Sequence, residues 1–125
     1  MRYALCRALM QSRGLLHIAL LSRDLDKTER FYTEILGLKV AFRVPPNMLF
    51  LRSPGSQDLL NFIRTRKKLR SSEPLEHFGF KTTSAALKRL EKQLKEKNIK
   101  IDGRRGKHAI YFRDPNGYRI EYYCD

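Results

Sequence analysis

The feature that most constrains this chain is an internal repeat of polar residues set in apolar strands. His17 lies in Leu15-Leu16-His17-Ile18-Ala19-Leu20-Leu21, and sixty positions on His77 lies in Glu76-His77-Phe78-Gly79-Phe80. Asn61 and Glu121 share that offset, and forty-four residues separate histidine from polar partner in either half. One polar residue in an apolar run is usually a satisfied core or surface group. The same pattern in two halves marks a duplicated supersecondary unit.

The order of elements repeats as well. In the first half Leu15 to Leu21 reads as a buried strand. Asp24-Leu25-Asp26-Lys27 supplies N-cap chemistry, Phe31, Tyr32, Ile35 and Leu36 follow at helical spacing, and Gly37 serves as a left-handed C-cap. Leu38 to Val44, Met48 to Arg52 and Leu59 to Ile63 are short strands, punctuated by Pro45-Pro46 and Ser53-Pro54-Gly55-Ser56. In the second half Leu75 to Phe80 reads as a strand. Thr83 to Lys97 is a helix with Leu87, Leu90 and Leu94 on one face and an expected Glu91–Lys95 pair; Ile99 to Ile101, Ala109 to Arg113 and Tyr118 to Tyr123 complete the strands. Asp114-Pro115-Asn116-Gly117 is a turn. The expected fold is α+β, two tandem βαβββ modules related by a pseudo-twofold. Residues 1–13 are read as an N-terminal extension, although their Arg-rich, acid-poor character is also that of an organelle presequence. Residues 14–125 form one domain: module one 14–65, hinge 66–73, module two 74–125.

At 125 residues and 42% hydrophobic, the chain has the size and apolar content of one compact domain. It has no apolar run of the roughly 20 residues a membrane-spanning helix needs. Lys and Arg number 26 against 13 acids, a net charge of +13 that attracts anions. The basic runs Arg64-Thr65-Arg66-Lys67-Lys68-Leu69-Arg70 and Arg104-Arg105-Gly106-Lys107 carry no interleaved aromatics, so nucleic acid is not the expected partner; a small, anionic substrate is. Cys6 and Cys124 fit neither a disulfide framework nor a zinc knuckle, which makes a reducing, cytoplasmic chain the default expectation.

Strand alternation puts Arg119, Glu121 and Tyr123 on one face and Ile120 and Tyr122 on the other. His17, His77 and Glu121 on equivalent strand positions are the residue types of a two-histidine, one-carboxylate set, suited to Fe, Mn, Ni, Co or Zn as the divalent metal. Solvent-facing or core placement is the plain alternative for each of them.

The run Leu15 to Leu20 with Asp24-Leu25-Asp26-Lys27 and Phe31-Tyr32-Thr33-Glu34-Ile35-Leu36-Gly37 resembles the first module of the vicinal oxygen chelate superfamily, the glyoxalase, bleomycin-resistance and extradiol-dioxygenase group. Ile110 to Glu121, through Arg113-Asp114-Pro115-Asn116-Gly117, resembles the end of its second module. The resemblance implies half-open mixed sheets around a metal site, frequent homodimers, and metal ligands at His17, His77 and Glu121. Asn61 falls at a possible fourth position, usually a carboxylate in glyoxalase-like members, and Tyr111 where related enzymes place a tyrosine near substrate. Its phenol is a candidate catalytic donor to an oxyanion, or a core aromatic. The function implied is metal-dependent isomerisation, lysis or group transfer on vicinal oxygens. An extradiol-type ring-cleaving dioxygenase and a metal-free drug-binding protein of the bleomycin-resistance kind are the alternatives.

Overall fold

The computed structural model describes residues 11–125; the part of the expected N-terminal extension before residue 11 lies outside the described residues. The first sheet comprises β1 (Ile18–Ser22), β2 (Lys39–Val44), β3 (Met48–Arg52) and β4 (Leu60–Arg64), in the order β1-β4-β3-β2. The second comprises β5 (Phe78–Lys81), β6 (Ile101–Arg105), β7 (Ala109–Arg113) and β8 (Arg119–Tyr123), in the equivalent order β5-β8-β7-β6. In each sheet the first and last strands run parallel and the others antiparallel, so both are mixed, as the expected α+β tandem requires.

Helix α1 (Leu25–Arg30) begins at Asp24, whose carboxylate accepts from the Lys27 N–H at 3.0 Å, and widens into one π-turn over Phe31–Ile35. Gly37, at a φ of 76°, then takes the chain through the left-handed region into β2. Helix α2 (Ser84–Glu96) is capped by the Thr83 side chain and buries Leu87, Leu90 and Leu94. Its Glu91 does not join Lys95 as expected but takes the Arg104 guanidinium on both oxygens, at 2.8 and 3.1 Å. A planar fork meets a carboxylate in two bonds, where an ammonium offers one point charge.

Strand boundaries shift in three informative places. The first strand begins at Ile18, leaving Leu15 and Leu16 82% and 69% exposed, because the β4 ladder starts with Leu60 opposite Ile18. Strand β5 likewise starts at Phe78, three residues later than its apolar run suggested. The expected strand Ile99 to Ile101 is instead β6, Ile101–Arg105. Asp-Gly is common in turns, yet Gly103 sits in the strand opposite Tyr111, where a Cβ would stand 2.6 Å from an Arg119 nitrogen.

One apolar cluster spans both modules, with Phe31 and Phe62 from the first and Phe112, Ile120 and Leu94 from the second. A polar latch joins them. The turn Asp114–Tyr118 docks on α1 and β1: Tyr32 Oη donates to Asp114 Oδ2 at 2.8 Å, Asn116 Nδ2 donates to Thr28 Oγ1 at 3.1 Å, and Tyr118 Oη donates to the Leu21 carbonyl at 3.0 Å. Burial pushes the Asp114 carboxyl and the Tyr32 phenol above their ordinary pKa values, the former against the donors around it. Tyr32→Phe removes one of those donors from a buried acceptor and is expected to lower unfolding stability by about 2 kcal/mol, read from urea denaturation.

Candidate functional site

Both helices cover the same side of their sheets, so side chains alternate between a packed face and an open one. On β1 and β4, Leu20 and Phe62 point into the core, while Ala19 and Asn61 pair in register on the other face. On β5 and β8, Phe78 and Ile120 are buried, and Gly79 pairs with Glu121. The sixty-residue offset is therefore a true structural equivalence. Small residues at 19 and 79 leave room for the polar chains beside them; a Cβ on Gly79 would press to 3.3 Å from Glu121 Oε1.

Around Glu121 the geometry is well defined. His77, placed just before β5, brings Nε2 to 3.4 Å from Glu121 Oε1. Its other ring nitrogen, Nδ1, lies 2.5 Å from Glu76 Oε1, so the adjacent carboxylate fixes the ring and favours a proton on Nδ1, leaving Nε2 as a lone-pair donor. Glu121 Oε2 accepts from Tyr111 Oη at 2.9 Å and from Arg105 Nη2 at 2.5 Å. The imidazole meets the Tyr111 ring edge-on, and Arg119 stacks 4.2 Å above that ring. Arg119 is also held by Asp102 at 3.1 Å and faces Glu76 at 3.5 Å.

Burial acts to raise the pKa of the Glu121 carboxyl. Hydrogen bonds from Arg105 and Tyr111, with the charge of Arg105, outweigh it and hold the carboxyl below the ordinary glutamate value. The Glu76 carboxyl is lowered too, chiefly by its hydrogen bond to His77.

His17 lies on the other sheet. It is exposed, two residues before Ala19, edge-on to Phe50 with ring centroids 6.1 Å apart. Asn61 belongs to that face as well, opposite Phe50 in the ladder, and its buried Oδ1 has no hydrogen-bond partner among the described residues. The structure thus joins His77, Glu121 and Tyr111 but does not bring His17 to them. Among the described residues no three His, Cys, Asp or Glu side chains gather as a metal cluster. His108 is occupied with the Cys124 carbonyl, 3.2 Å from Nδ1.

Two of the expected donors, His77 Nε2 and Glu121 Oε1, have a spacing compatible with one divalent ion. Two ligand atoms each about 2.1 Å from one ion, at a tetrahedral angle, stand about 3.4 Å apart, and His77 Nε2 and Glu121 Oε1 are separated by 3.4 Å. Sequence reasoning gave Glu76 no role, named Arg105 only within a basic run and placed Arg119 only as a neighbour of Glu121 on its face. The Glu76-His77 dyad was visible as a signal, whereas the pairing of Arg105 with Glu121 became visible only with the placement of β6.

Comparison with known proteins agrees with this architecture. The model of the Glyoxalase/Bleomycin resistance protein/Dioxygenase superfamily matches residues 14–122, and the chain belongs to that superfamily. The trypanothione-dependent glyoxalase I of Leishmania major is 27% identical with a TM-score of 0.72, the match covering 90% of this chain and 87% of that one. A glyoxalase/dioxygenase from Nostoc punctiforme is 24% identical with a TM-score of 0.76, covering 90% and 91%. The fosfomycin resistance protein FosX of Mesorhizobium loti is 18% identical with a TM-score of 0.72, covering 90% and 92%. The last two share the fold. No helix among the described residues is long and apolar enough to cross a membrane.

The Glu121 carboxyl tests the hydrogen-bond network directly. Its lowered pKa means that its contribution to stability is present above the unfolded carboxyl value and is lost as pH falls through the folded one. Tyr111→Phe is expected to move the Glu121 titration upward, toward the ordinary value, as followed by carboxyl carbon NMR.

Proposed function

We propose that the chain is a metal-dependent enzyme acting on a small substrate through vicinal oxygens, with the metal held across a homodimer. The carrying observation is that each open face bears half a ligand set: His17 and Asn61 on one, His77 and Glu121 on the other, with Asn61 and Glu121 at equivalent ladder positions and each histidine one residue before the first strand of its sheet. A twofold that lays the first face of one copy on the second face of another would unite His17 with His77 and Glu121. The first face has a reason to be covered. Leu21, Phe42 and Val44 on it are 43%, 46% and 44% exposed, and Phe42 stacks on Phe50 to extend the apolar patch.

A divalent ion held there supplies Lewis acidity toward substrate oxygens. The chain's own groups then divide the work. Glu76 orients the His77 ring, and Glu121 adds a carboxylate whose charge Arg105 balances and to which Tyr111 donates a hydrogen bond. The Tyr111 phenol, hydrogen-bonded to Glu121, lies where it can turn its proton toward an oxyanion.

Asn61 shapes the reaction class. In glyoxalase-like relatives the resemblance places a carboxylate there, available as ligand and base. An amide oxygen is a neutral ligand and no base at ordinary pH. With one carboxylate in place of two, group transfer or lysis suits this chain better than the two-sided proton shuttle of a glyoxalase I. The purified protein should turn over a methylglyoxal–glutathione hemithioacetal poorly with any metal supplied, and Asn61→Glu should tighten metal binding. Efficient native turnover would contradict the assignment.

The shared site has its own test. Wild type should bind about one Co(II) or Zn(II) per protomer, and His17→Ala and His77→Ala should each lose it. A co-refolded mixture of the two variants should regain binding, because a dimer with one defect on each copy retains one whole site. Recovery to about a quarter of wild-type capacity is expected for random pairing, since half of the dimers are mixed. Full binding by His17→Ala, or no recovery on mixing, would contradict the reading.

A further inference from the structure

Arg105 stands out among the cations of the second face. Arg119 has two acidic neighbours besides the site, Asp102 at 3.1 Å and Glu76 at 3.5 Å. The acid paired with Arg105 is Glu121, the proposed metal ligand. Its side chain is 61% exposed, against 11% for that of Glu121, and its guanidinium lies 5.1 Å over the Tyr123 ring. It therefore reaches inward from the rim of a shallow pocket of about 480 Å³ that Gly79, Phe80, Lys81, Glu121, Tyr123 and Asp125 also line. That volume suits a small molecule.

We propose that Arg105 binds the anionic group of the substrate, a carboxylate, phosphate or phosphonate, and that its present pairing with Glu121 is the resting state of that site. This rests on the function proposed above only for the role of Glu121. The reasoning is electrostatic. A dication at Glu121 would stand near a guanidinium that pairs with no second acid among the described residues, and like charges so placed repel. An anion entering the pocket restores the balance, and the guanidinium fork can meet two of its oxygens at once. Lys81, on the same open face as Gly79 and Glu121, adds attraction without that geometry. Metal and anion should then bind cooperatively, each strengthening the other by the same factor. Without the anion, Arg105 restrains metal binding by drawing on the carboxylate charge.

Two titrations separate this from the metal reading. In the first, metal-free protein is titrated with methylphosphonate and followed by phosphorus NMR, at moderate salt. Wild type and His77→Ala should bind alike, Arg105→Ala and Arg105→Lys at least tenfold more weakly, and Arg66→Ala, on the exposed basic run, like wild type. Equal binding by Arg105→Ala and wild type would overturn the proposal, as would an equal loss in Arg66→Ala, which would mark net charge alone. In the second, Co(II) affinity is measured with and without methylphosphonate. The anion should raise wild-type affinity about tenfold and leave Arg105→Ala unchanged, and Arg105→Ala without the anion should bind Co(II) more tightly than wild type. An anion effect of equal size in both proteins would also overturn it. Failure of every variant to bind Co(II) would refute the metal reading, while the first titration still decides the role of Arg105.

Discussion

The parallel pairing of the first and last strand of each module is the constraint on which the rest depends. It sets Ala19 beside Asn61 and Gly79 beside Glu121, and it does so while Leu20, Phe62, Phe78 and Ile120 face the helices. A slip of one residue in either ladder would drive a carboxylate or an amide into the core and an apolar side chain out of it. Packing on one face thus determines chemistry on the other. The small residues at 19 and 79 make the arrangement tolerable, since bulk at 79 would crowd the Glu121 carboxylate.

Both helices contribute to one continuous apolar cluster shared by the two sheets, and the Asp114–Tyr118 turn clamps the second module to α1 and β1 of the first. The same turn protects the outer edge of β1, because Tyr118 Oη both accepts from the Leu21 N–H and donates to its carbonyl, each at 3.0 Å. The open faces are left outside this core. A half-set of ligands on either face, with apolar surface around the first, is the arrangement from which the proposed twofold site follows.

Much of this was legible in the sequence. The offset between His17 and His77, the helix signals at Asp24 and Thr83, and the alternation around Glu121 are local and periodic, and each matches the structure. Elements without local signals were harder. Strand β6 holds Asp102-Gly103, a turn dipeptide drawn into a ladder because Tyr111 and Arg119 need the space that a Cβ would take. Misplacing that strand concealed the pairing of Arg105 with Glu121. Leu15 and Leu16 read as strand from their hydrophobicity, although the ladder has no partner for them. The separation of His17 from His77 and Glu121 was also hidden, since a repeat shows which positions are equivalent and not which way their faces turn.

The central claim is that one metal gathers histidines from both faces. X-ray absorption at the metal edge of the Co(II)- or Zn(II)-loaded protein reads this directly, because imidazole rings add multiple-scattering features that carboxylate and water lack. The account predicts two imidazoles per metal with oxygen donors in wild type, and one imidazole in whatever metal His17→Ala still holds. A wild-type spectrum with a single imidazole, unchanged by His17→Ala, would contradict it.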